Sequence, residues 1–309
     1  MDPTRQAGGA QGHPACLIAG CGYVGARLAR RLAADRKVVA MVRSTGSAAA
    51  LRNGGIEALE IDLDRDDRSL AALGAAAQGA TIAYLAPPPE SAATDPRLAT
   101  FLAALGSARP AALLYMSTTG VYGDTGGEVV TESAPLLPGS DRARRRVAAE
   151  TAAAQWCEAC GVRCVILRVP GIYGPHRLPL ERLRRGEPAI RPEDAGPGNR
   201  IHVDDLVTAC VAALDGSANG IFNVTDGDTA STTEYLLVAA ELAGLPPPEL
   251  ITRAEAQRRI PPGMLAFLNE ARRVDNRRMR EVLGVQPVYA DMRAGVAASL
   301  EEMRASLRH

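Results

Sequence analysis

Short runs of consecutive apolar residues alternate along the chain with stretches in which apolar residues recur every three or four positions. The runs predict buried strands, and the stretches between them, such as the one that carries Val24, Leu28 and Leu32, predict amphipathic helices. The predicted strands are residues 15–19, 37–42, 56–63, 80–86, 111–117 and 162–169. Apolar strands that alternate with helices are typical of a parallel sheet covered on both faces. The pattern therefore predicts an α/β fold with a doubly wound parallel sheet, whose ligands bind where the strands end.

The pattern changes after Pro170. Residues 171–200 are rich in Pro, Gly and Arg, and helices with proline-rich joints follow residue 231. Between these regions, residues 201–214 predict a helix and residues 220–225 predict a further strand. We interpret the proline-rich parts as a smaller, mostly helical C-terminal lobe that closes over the edge of the sheet. The predicted organisation is a flexible N-terminal tail at 1–14, a sheet domain at 15–175 plus 199–227, and the lobe at 176–198 plus 228–309.

Composition and charge narrow the class of protein. The 309 residues carry 35 Lys+Arg and 35 Asp+Glu, so no net basic field attracts nucleic acid or anionic lipid. No apolar run has the length of a membrane span, and the first residues lack the apolar core of a signal peptide. These observations predict a cytoplasmic protein that binds a small-molecule substrate, with neither nucleic acid nor membrane as a partner. The sequence leaves open whether the protein forms a homodimer.

Cysteine and lysine usage limits the chemistry further. Cys157 and Cys160 are spaced as in a redox pair or half of a zinc site. No second pair of that spacing exists and the four histidines are scattered, so ordinary buried thiols and no metal are predicted. The only lysine is Lys37, so chemistry that needs a lysine has one candidate.

The segment after the first predicted strand reads Gly20-Cys-Gly22-Tyr-Val-Gly25 and precedes a helix. In such a segment the first glycine permits a tight turn, the second lets the backbone approach a pyrophosphate, and the third lets helix and strand pack closely. The helix N-terminus, which includes Tyr23 and Val24, offers free N–H groups and a positive dipole to phosphates. Together the elements predict a Rossmann dinucleotide site. The alternative is a glycine-rich turn that binds nothing.

Residues at the end of the second predicted strand indicate which dinucleotide is bound. An NAD site places a carboxylate there to accept hydrogen bonds from the ribose, but this chain has Arg43-Ser44-Thr45. A guanidinium and two hydroxyls suit a 2′-phosphate, so NADP(H) is predicted over NAD(H), unless Arg43 is only a surface arginine. Asp62, which ends the third predicted strand, is a candidate acceptor for the adenine amino group or an ordinary turn residue.

Several segments together resemble one family. They are GCGYVG, Asp62-Leu63, YLAPPP, YMSTTGVYGD, LRVPGIYGP, RIHVDDL and FNVTDG, followed by RVDNRRMREVLGVQPVYADMRAGV. Their order and spacing are similar to those of the extended short-chain dehydrogenases/reductases, the NAD-dependent epimerase/dehydratase group, from about Cys16 to about Leu300. The resemblance implies hydride transfer to and from a nicotinamide, on nucleotide sugars or on small carbonyl and hydroxyl compounds.

The resemblance also implies roles for particular residues. Thr118 falls where the family keeps its catalytic serine or threonine, and His202 and Asp205 fall in a mostly structural segment. Tyr122 and Tyr173 are implied to be mainly architectural, at the border of the substrate cleft. Beyond the glycine loop and Arg43-Ser44, the residues implied to lie along the cofactor are Asp62, Leu63, Ala86, Pro87, Pro170, Gly171 and Ile172.

The family's acid/base pair, Tyr-x-x-x-Lys, is missing from this chain. Counting back from Glu150, which matches a family glutamate, places Arg142 at the tyrosine position and Arg146 at the lysine position. No tyrosine lies between 123 and 172. Arginine can replace lysine as a fixed positive charge, but its pKa of about 12 or higher prevents it from replacing tyrosine as a proton donor. We interpret the arginines at 142–146 as part of an active site in which other residues replace the family's acid/base pair.

The same arginines also have an ordinary explanation as part of a helix surface. Residues 141–160 predict a helix with Ser140 as its N-cap. Residues 144–145 are expected to be solvated, and Arg146 is expected to pair with Glu150 four positions later. A nucleic-acid patch is not favoured, because the net charge is zero and no aromatic residues interleave with the arginines.

Two functional hypotheses follow. The first is an NADP-dependent oxidoreductase or nucleotide-sugar epimerase-like enzyme with a different proton donor. The second is a non-catalytic, redox-responsive regulator that binds NADP(H). For the enzyme, the candidate proton donors are Thr118, Tyr122, Tyr173 and a water held by Arg142.

Candidate substrate contacts lie where the lobe begins. Tyr173, His176 and Arg177 are placed there, and the last two could contact an anionic substrate. Arg200 is a further candidate, because many nucleotide-sugar members keep a pyrophosphate-binding arginine just before IHV. Here Arg200 is closer to the histidine than is usual, which weakens the expectation of a nucleotide-sugar substrate.

Overall fold

A computed structural model describes residues 13–65 and 68–308. The predicted N-terminal tail, as far as residue 12, lies outside the described residues. The strands of the described chain are β1 (Cys16–Ala19), β2 (Val38–Val42), β3 (Glu57–Glu60), β4 (Thr81–Tyr84), β5 (Ala112–Thr118), β6 (Val129–Val130), β7 (Arg163–Val169), β8 (Gly171–Tyr173), β9 (Ala189–Ile190), β10 (Arg200–His202), β11 (Gly220–Asn223), β12 (Leu250–Ile251) and β13 (Arg273–Val274).

The helices of the same residues are α1 (Tyr23–Leu32), α2 (Thr45–Asn53), α3 (Ala71–Ala77), α4 (Pro96–Ala104), α5 (Asp141–Cys160), α6 (Leu180–Arg184), α7 (Val203–Asp215), α8 (Thr232–Ala243), α9 (Arg253–Arg259), α10 (Pro262–Asn269), α11 (Arg277–Val282) and α12 (Met292–Ser306). Single turns of 3-10 helix occupy Arg68–Leu70, Thr119–Tyr122 and Pro192–Asp194. α5 has the predicted bounds, and Ser140 caps it by accepting a hydrogen bond from the Ala143 N–H at 3.2 Å.

Seven strands form one parallel sheet in the order β11-β7-β5-β4-β1-β2-β3. The chain builds the sheet outward in both directions from β1, so the strand order reverses between β1 and β4. In open α/β sheets the ligand crevice lies outside the carboxyl ends of the strands at such a reversal. The doubly wound parallel sheet predicted from the apolar runs is confirmed.

Each face of the sheet has its own apolar core. On one face, α1 and α7 bring residues such as Leu28 and Leu206 against Ile18 of β1. On the other face, α3, α4 and α5 pack over Leu17 of the same strand, with Phe101 of α4 fully buried. Because successive strand residues point to opposite faces, a short apolar run supplies both cores at once.

The third strand differs from its prediction. β3 ends at Glu60, before the predicted end at residue 63, and Glu57 and Glu60 are exposed. β3 lies at the edge of the sheet with only β2 beside it, and a charged edge discourages pairing with another chain. The expectation that every strand is apolar and buried throughout is wrong for this strand.

The C-terminal lobe is mostly helical, as predicted. α8 and α12 pack together around Leu236 and Val296, with Leu183 of α6 against them. A second, smaller apolar cluster forms around the short parallel pair β9–β12 and includes Ile190 and Ile251.

Part of the range assigned to the lobe returns to the sheet. Met279 of α11 and Val285 belong to the same core as α1 and α7. β13 pairs with β6, which lies between β5 and α5 in the chain. The chain after residue 272 therefore contacts both the sheet and the lobe.

Several broader features can be stated for the described part of the chain. No helix in residues 13–65 and 68–308 combines the length and the apolar character needed to cross a membrane. The same residues contain no group of three or more His, Cys, Asp or Glu side chains that could hold a metal ion. All six cysteines are free; four are buried, and Cys160 and Cys164 are half-buried.

Candidate active site

The glycine loop joins β1 to α1 at the carboxyl end of the sheet. Gly20 has a φ of +93°, and a Cβ atom there would lie 2.6 Å from the Ala86 nitrogen, so this turn beside β4 requires glycine. A Cβ atom on Gly25 would lie 2.7 Å from the Gly20 carbonyl oxygen, which shows how closely α1 packs on the loop. A Cβ atom on Gly22 would meet nothing within 4 Å, so this part of the backbone borders open space.

The N-terminus of α1 fits an anionic group. The helix begins at Tyr23 with Gly22 as its N-cap, and no side chain caps it. The first N–H groups of a helix have no partner within the helix, and the helix dipole makes this end positive. Val24 in the first turn is buried, which anchors this end of the helix. The glycine loop and the uncapped helix end therefore fit the pyrophosphate of a dinucleotide.

The end of β2 carries the residues that were predicted to select the dinucleotide. Arg43 is exposed and makes no hydrogen bond or ion pair with the described residues. Ser44 caps α2 by accepting from the Ser47 N–H at 3.3 Å. The nearby Asp64 is paired with Arg97, whose hydrogen bonds, with a smaller contribution from Arg43, lower the pKa of the Asp64 carboxyl. Arg43 is thus the unpaired cation at this strand end.

The other predicted cofactor residues surround the same crevice. The Asp62 carboxylate accepts from the Asp64 N–H at 3.1 Å, which is the turn role left open by the sequence. Leu63 is buried in the second core, Ala86 is half-buried beside the glycine loop, and Pro87 is exposed.

A cleft of about 470 Å³ opens where the carboxyl ends of β5 and β7 face the lobe. The wall on the sheet side includes Thr118, Pro170 and Gly171, and the start of α5 contributes Ser140 and Arg142. The wall on the lobe side consists of Ile190, residues 195–199, Thr232, Thr233, Gly263, Ala266, Phe267, Leu268, Glu270 and Arg272. Ile172, predicted with its two neighbours, is half-buried against the first core and does not line the cleft.

Thr118 is held in position at the wall of the cleft. It ends β5, and its Oγ1 accepts a hydrogen bond from the Gly120 N–H at 3.2 Å. Because the hydroxyl uses an acceptor site in this bond, its own proton stays available for a ligand. Thr118 therefore presents its hydroxyl at the wall of the cleft.

Arg142 lines the cleft from the first turn of α5. Its side chain is exposed and makes no hydrogen bond or ion pair with any residue in 13–65 or 68–308. Arg272, the other guanidinium of the lining, donates to the Gly123 carbonyl oxygen and to Glu270 Oε2, the latter at 2.8 Å. The cleft therefore holds one paired cation and one unpaired cation.

Arg146 does not reach the cleft. Its Nη1 donates to the Tyr115 hydroxyl at 3.0 Å and to the Met116 carbonyl oxygen at 2.8 Å, both on β5. Burial raises the pKa of the Tyr115 phenol to about 12, and Arg146 opposes that shift. Arg146 thus fastens α5 to the sheet. Of Arg142 and Arg146, which the resemblance aligns with the acid/base pair, only Arg142 lines the cleft.

Two expectations for α5 are wrong. Glu150 pairs with Arg168 at 2.7 Å instead of with Arg146, and both side chains of the pair are buried. Arg145 is buried and donates to the Ala92 carbonyl oxygen at 3.1 Å, although it was expected to be solvated. The reason is that α5 packs on β5 and β7 and also against the segment before α4, so its arginines have partners on several sides.

Tyr122 lies in the interior. Its hydroxyl donates to Asn223 Oδ1 at 2.7 Å and accepts from Arg168 Nη1 at 2.9 Å. Burial raises the pKa of this phenol, although Arg168 opposes the shift. The side chain is fully buried and does not line the cleft, so its geometry is that of an architectural residue and not of a proton donor to a ligand.

Tyr173 and Arg200 also lie outside the cleft lining. The Tyr173 ring is buried in the lobe core, edge-on to His202 at 5.2 Å between ring centres. Arg200 is 5% exposed and donates to the carbonyl oxygens of Ala230 and Ser231 at 2.6 and 3.2 Å. Its guanidinium holds the backbone before α8, so the structure does not place it where it would bind a substrate pyrophosphate.

His176 and Arg177 lie beside the glycine loop instead of in the cleft. The Arg177 guanidinium is 4.4 Å from the centre of the Tyr23 ring, and the Tyr23 hydroxyl donates to the Pro175 carbonyl oxygen at 2.9 Å. His176 is exposed with a φ of +63°, a conformation that is uncommon for residues other than glycine.

Sequence reasoning missed the residues that the lobe contributes to the cleft. Phe267, Glu270 and Arg272 follow one another closely in the chain, but they match no motif and have no regular spacing. The only local signal is the apolar stretch after Pro261-Pro262, which was interpreted as part of a lobe helix.

Comparisons with known proteins identify the family to which this chain is similar. The sequence model of the NAD dependent epimerase/dehydratase family matches residues 16–225. A 3-diazoavenalumate denitrifying reductase from Streptomyces is 32% identical over 228 residues, which are 68% of this chain and 73% of the relative. A UDP-glucose 4-epimerase from Mycolicibacterium smegmatis is 30% identical over 60% of this chain and 59% of its own length.

A solved structure extends the likeness to nearly the whole chain. A conserved protein of unknown function from Silicibacter pomeroyi is 31% identical and has a TM-score of 0.78, with 95% of this chain and 99% of the other covered. The sheet, the glycine loop and the match over more than half of the chain define an NAD-binding enzyme with a Rossmann fold. The protein belongs to the NAD-dependent epimerase/dehydratase family, whose members are oxidoreductases or epimerase-like enzymes.

Proposed function

We propose that the protein is an NADP(H)-dependent reductase of a small organic anion, with Arg142 in the position that the family gives to its acid/base tyrosine. The observation that carries this proposal is the unpaired guanidinium of Arg142 in the wall of the cleft, beside Thr118 and Pro170-Gly171. Arg142 stays positively charged at any physiological pH. It therefore binds an anionic group or stabilises negative charge that develops on a substrate, but it does not exchange protons.

This charge pattern favours reduction over epimerisation. Epimerisation by hydride removal and return requires a group that takes up a proton and gives it back, and arginine cannot do so. When bound, a reduced nicotinamide supplies a hydride. Arg142 then holds the anionic group of the substrate in the cleft, and the accepting group takes its proton from water, relayed by the Thr118 hydroxyl.

One of the two named relatives supports the same preference. The Streptomyces relative is a reductase of 3-diazoavenalumate, which by its name is an organic anion. The mycobacterial relative acts on UDP-glucose, but the arginine expected to bind such a pyrophosphate, Arg200, is buried here against carbonyl oxygens. A reductase of a smaller anion therefore agrees better with the cleft.

The preference for NADP(H) rests on Arg43. This guanidinium is exposed at the end of β2, where a 2′-phosphate would lie beside the adenine ribose, and it pairs with none of the residues that the structure describes. Two carboxylates close to this strand end already have partners. Glu60 accepts from the Thr45 hydroxyl at 2.8 Å, and Asp64 is paired with Arg97.

Replacing Arg43 tests the cofactor. Arg43→Ala should weaken NADPH binding by roughly 10- to 100-fold, since a hydrogen bond to a charged group contributes about 1.5–3 kcal/mol. NADH binding should not change. Fluorescence titration of both dinucleotides measures the two affinities. Arg31→Ala is the matched control, because Arg31 is also exposed but lies at the opposite end of α1 from the glycine loop. Equal losses for NADPH and NADH, or no loss, would contradict the NADP assignment.

Replacing Arg142 tests the reaction. With a substrate found by screening carboxylate-bearing carbonyl and diazo compounds, Arg142→Ala should lower kcat/KM roughly 10- to 100-fold, since a hydrogen bond to a charged group contributes about 1.5–3 kcal/mol. Arg142→Lys should retain part of the activity because it keeps the charge. NADPH oxidation measures the rate, and kcat/KM should not fall between about pH 6 and 9, since arginine does not titrate there.

Arg144→Ala is the control for this experiment. Arg144 lies on the same helix turn but pairs with Asp141 and does not line the cleft. Its loss should leave kcat/KM within about twofold of the wild type. Tight NADPH binding without turnover of any compound in the screen would contradict the reductase and support a redox-responsive regulator.

A further inference from the structure

The helix α10 has an unusual surface for its composition. Its sequence, PGMLAFLN, is almost entirely apolar, yet none of its residues is fully buried. Phe267 is 52% exposed and Met264 is 38% exposed. Large apolar side chains that are exposed and lie together are more typical of a binding surface than of other parts of a protein surface. The helix therefore presents apolar area that the other described residues do not cover.

The two sides of α10 have different contacts. Leu265 and Leu268 pack against the small apolar cluster that contains Ile190 and Ile260, and Leu268 also reaches the cleft. Gly263, Ala266 and Phe267, which share a face at spacings of three and four residues, line the cleft. The exposed aromatic ring thus belongs to the lobe-side wall of the cleft. Glycine and alanine beside Phe267 leave room for a flat group against that wall.

The charges of the cleft are unequal. Glu270 and Arg272 neutralise each other at 2.8 Å, so Arg142 contributes one uncompensated positive charge. A nucleotide sugar brings two phosphate charges, which one guanidinium does not neutralise. A single carboxylate, by contrast, can be matched by one bidentate guanidinium.

We infer that the cleft takes an aromatic carboxylate, with the carboxylate at Arg142 and the ring against the α10 face formed by Gly263, Ala266 and Phe267. The inference rests on the proposed function, because it names the substrate class of the same cleft. Two features on opposite walls of the cleft distinguish this chain from an enzyme for nucleotide sugars. They are one unpaired cation and one uncovered aromatic face.

The test uses the full chain with saturating NADPH and three probes: trans-cinnamate, its uncharged amide, and UDP-glucose. Calorimetry measures the dissociation constants. Cinnamate should bind at least about tenfold more tightly than cinnamamide and than UDP-glucose. Arg142→Ala should remove the difference between the acid and the amide. Phe267→Ala should weaken both of them by a similar factor, about five- to tenfold, because the ring contact is common to both.

Two control variants lie on the same helices outside the cleft. Arg144→Ala and Asn269→Ala should leave cinnamate binding within about twofold, since neither residue lines the cleft. The inference is overturned if cinnamate does not bind at millimolar concentration, if acid and amide bind equally, or if UDP-glucose binds as tightly as cinnamate.

Failure of the inference and failure of the proposed function give different results. Cinnamate binding that depends on Arg142, in a protein that oxidises NADPH with no compound of the screen, would contradict the reductase and support the ligand class. NADPH oxidation with aliphatic carboxylates only, without Arg142-dependent binding of cinnamate, would support the reductase and overturn the aromatic carboxylate.

Discussion

The carboxylate of Glu150 lies inside the molecule, where α5 crosses β5 and β7. Its Oε2 is 2.7 Å from Arg168 Nη2, and Ser117 donates to its Oε1. Arg168 extends the network to the Tyr122 hydroxyl at 2.9 Å, so one buried pair joins the helix to two strands and to the turn after β5. Taking charges out of water is costly, and the pair is tolerable only while both partners are present.

Removing one partner of this pair should destabilise the fold strongly. Glu150→Gln leaves the Arg168 charge buried without a counterion, so the free energy of unfolding should fall by about 3–5 kcal/mol. Urea unfolding measures the change. Glu158→Gln, at an exposed position of the same helix, should change it by less than about 0.5 kcal/mol. If both variants lose the same stability, the buried pair does not have the role given to it here.

The hydrogen-bond and ion-pair partners of individual side chains were the hardest feature to predict from the sequence. Spacing within a helix pairs Arg146 with Glu150, but both residues bond to strands that are distant in the chain. Whether Arg142 or Arg146 faces the cleft also depends on the packing of α5 against β5. The family resemblance located position 142, and the three-dimensional fold was needed to show that Arg142 is the unpaired one.

At the scale of elements, local signals predict well where they coincide. α5 has its predicted bounds because Ser140 caps its start and Gly161, with a φ of +65°, ends it in the left-handed conformation that favours glycine. The glycine loop was predicted with its steric roles because those depend only on neighbouring backbone. Strands were placed correctly but some were predicted too long, since an apolar run can continue past the last ladder hydrogen bond.

The lobe shows where local signals fail. β9 pairs with β12, and β6 pairs with β13, between segments far apart in the chain and only two residues long. Such short strands carry no readable period of their own. The cleft wall built from α10 and Glu270 could not be predicted either, because no motif connects it to the sheet.

At the scale of the whole molecule, the junction of sheet and lobe contains a carboxyl group that resists ionisation. Asp226 is 3% exposed, and its N–H donates to the Arg200 carbonyl oxygen at 2.9 Å. Burial raises the pKa of the Asp226 carboxyl to about 8, against an opposing influence of Arg200. An unfolded aspartate has a pKa of about 3.9, so the folded state keeps this proton over a wide range of pH.

This difference predicts a pH dependence of stability. Between about pH 4 and 8 the folded protein holds the Asp226 proton and the unfolded chain does not, so the contribution of this group to stability is lost as pH rises through that range. Asp226→Asn removes the effect. Its stability relative to the wild type should therefore increase from pH 5 to pH 8, by up to about 1.4 kcal/mol per pH unit. Urea unfolding at several pH values measures the difference; a constant difference would contradict the prediction.

The return of the chain to the sheet after residue 272 has a consequence for engineering. Met279 and Val285 complete the core beside α1 and α7, and α12 then goes back to the lobe. The lobe is therefore not a detachable module: a cut that removed it would also take away part of the packing that supports the dinucleotide side. Exchanging substrate lobes between relatives would succeed only if residues 273–285 stayed with the sheet that they help to build.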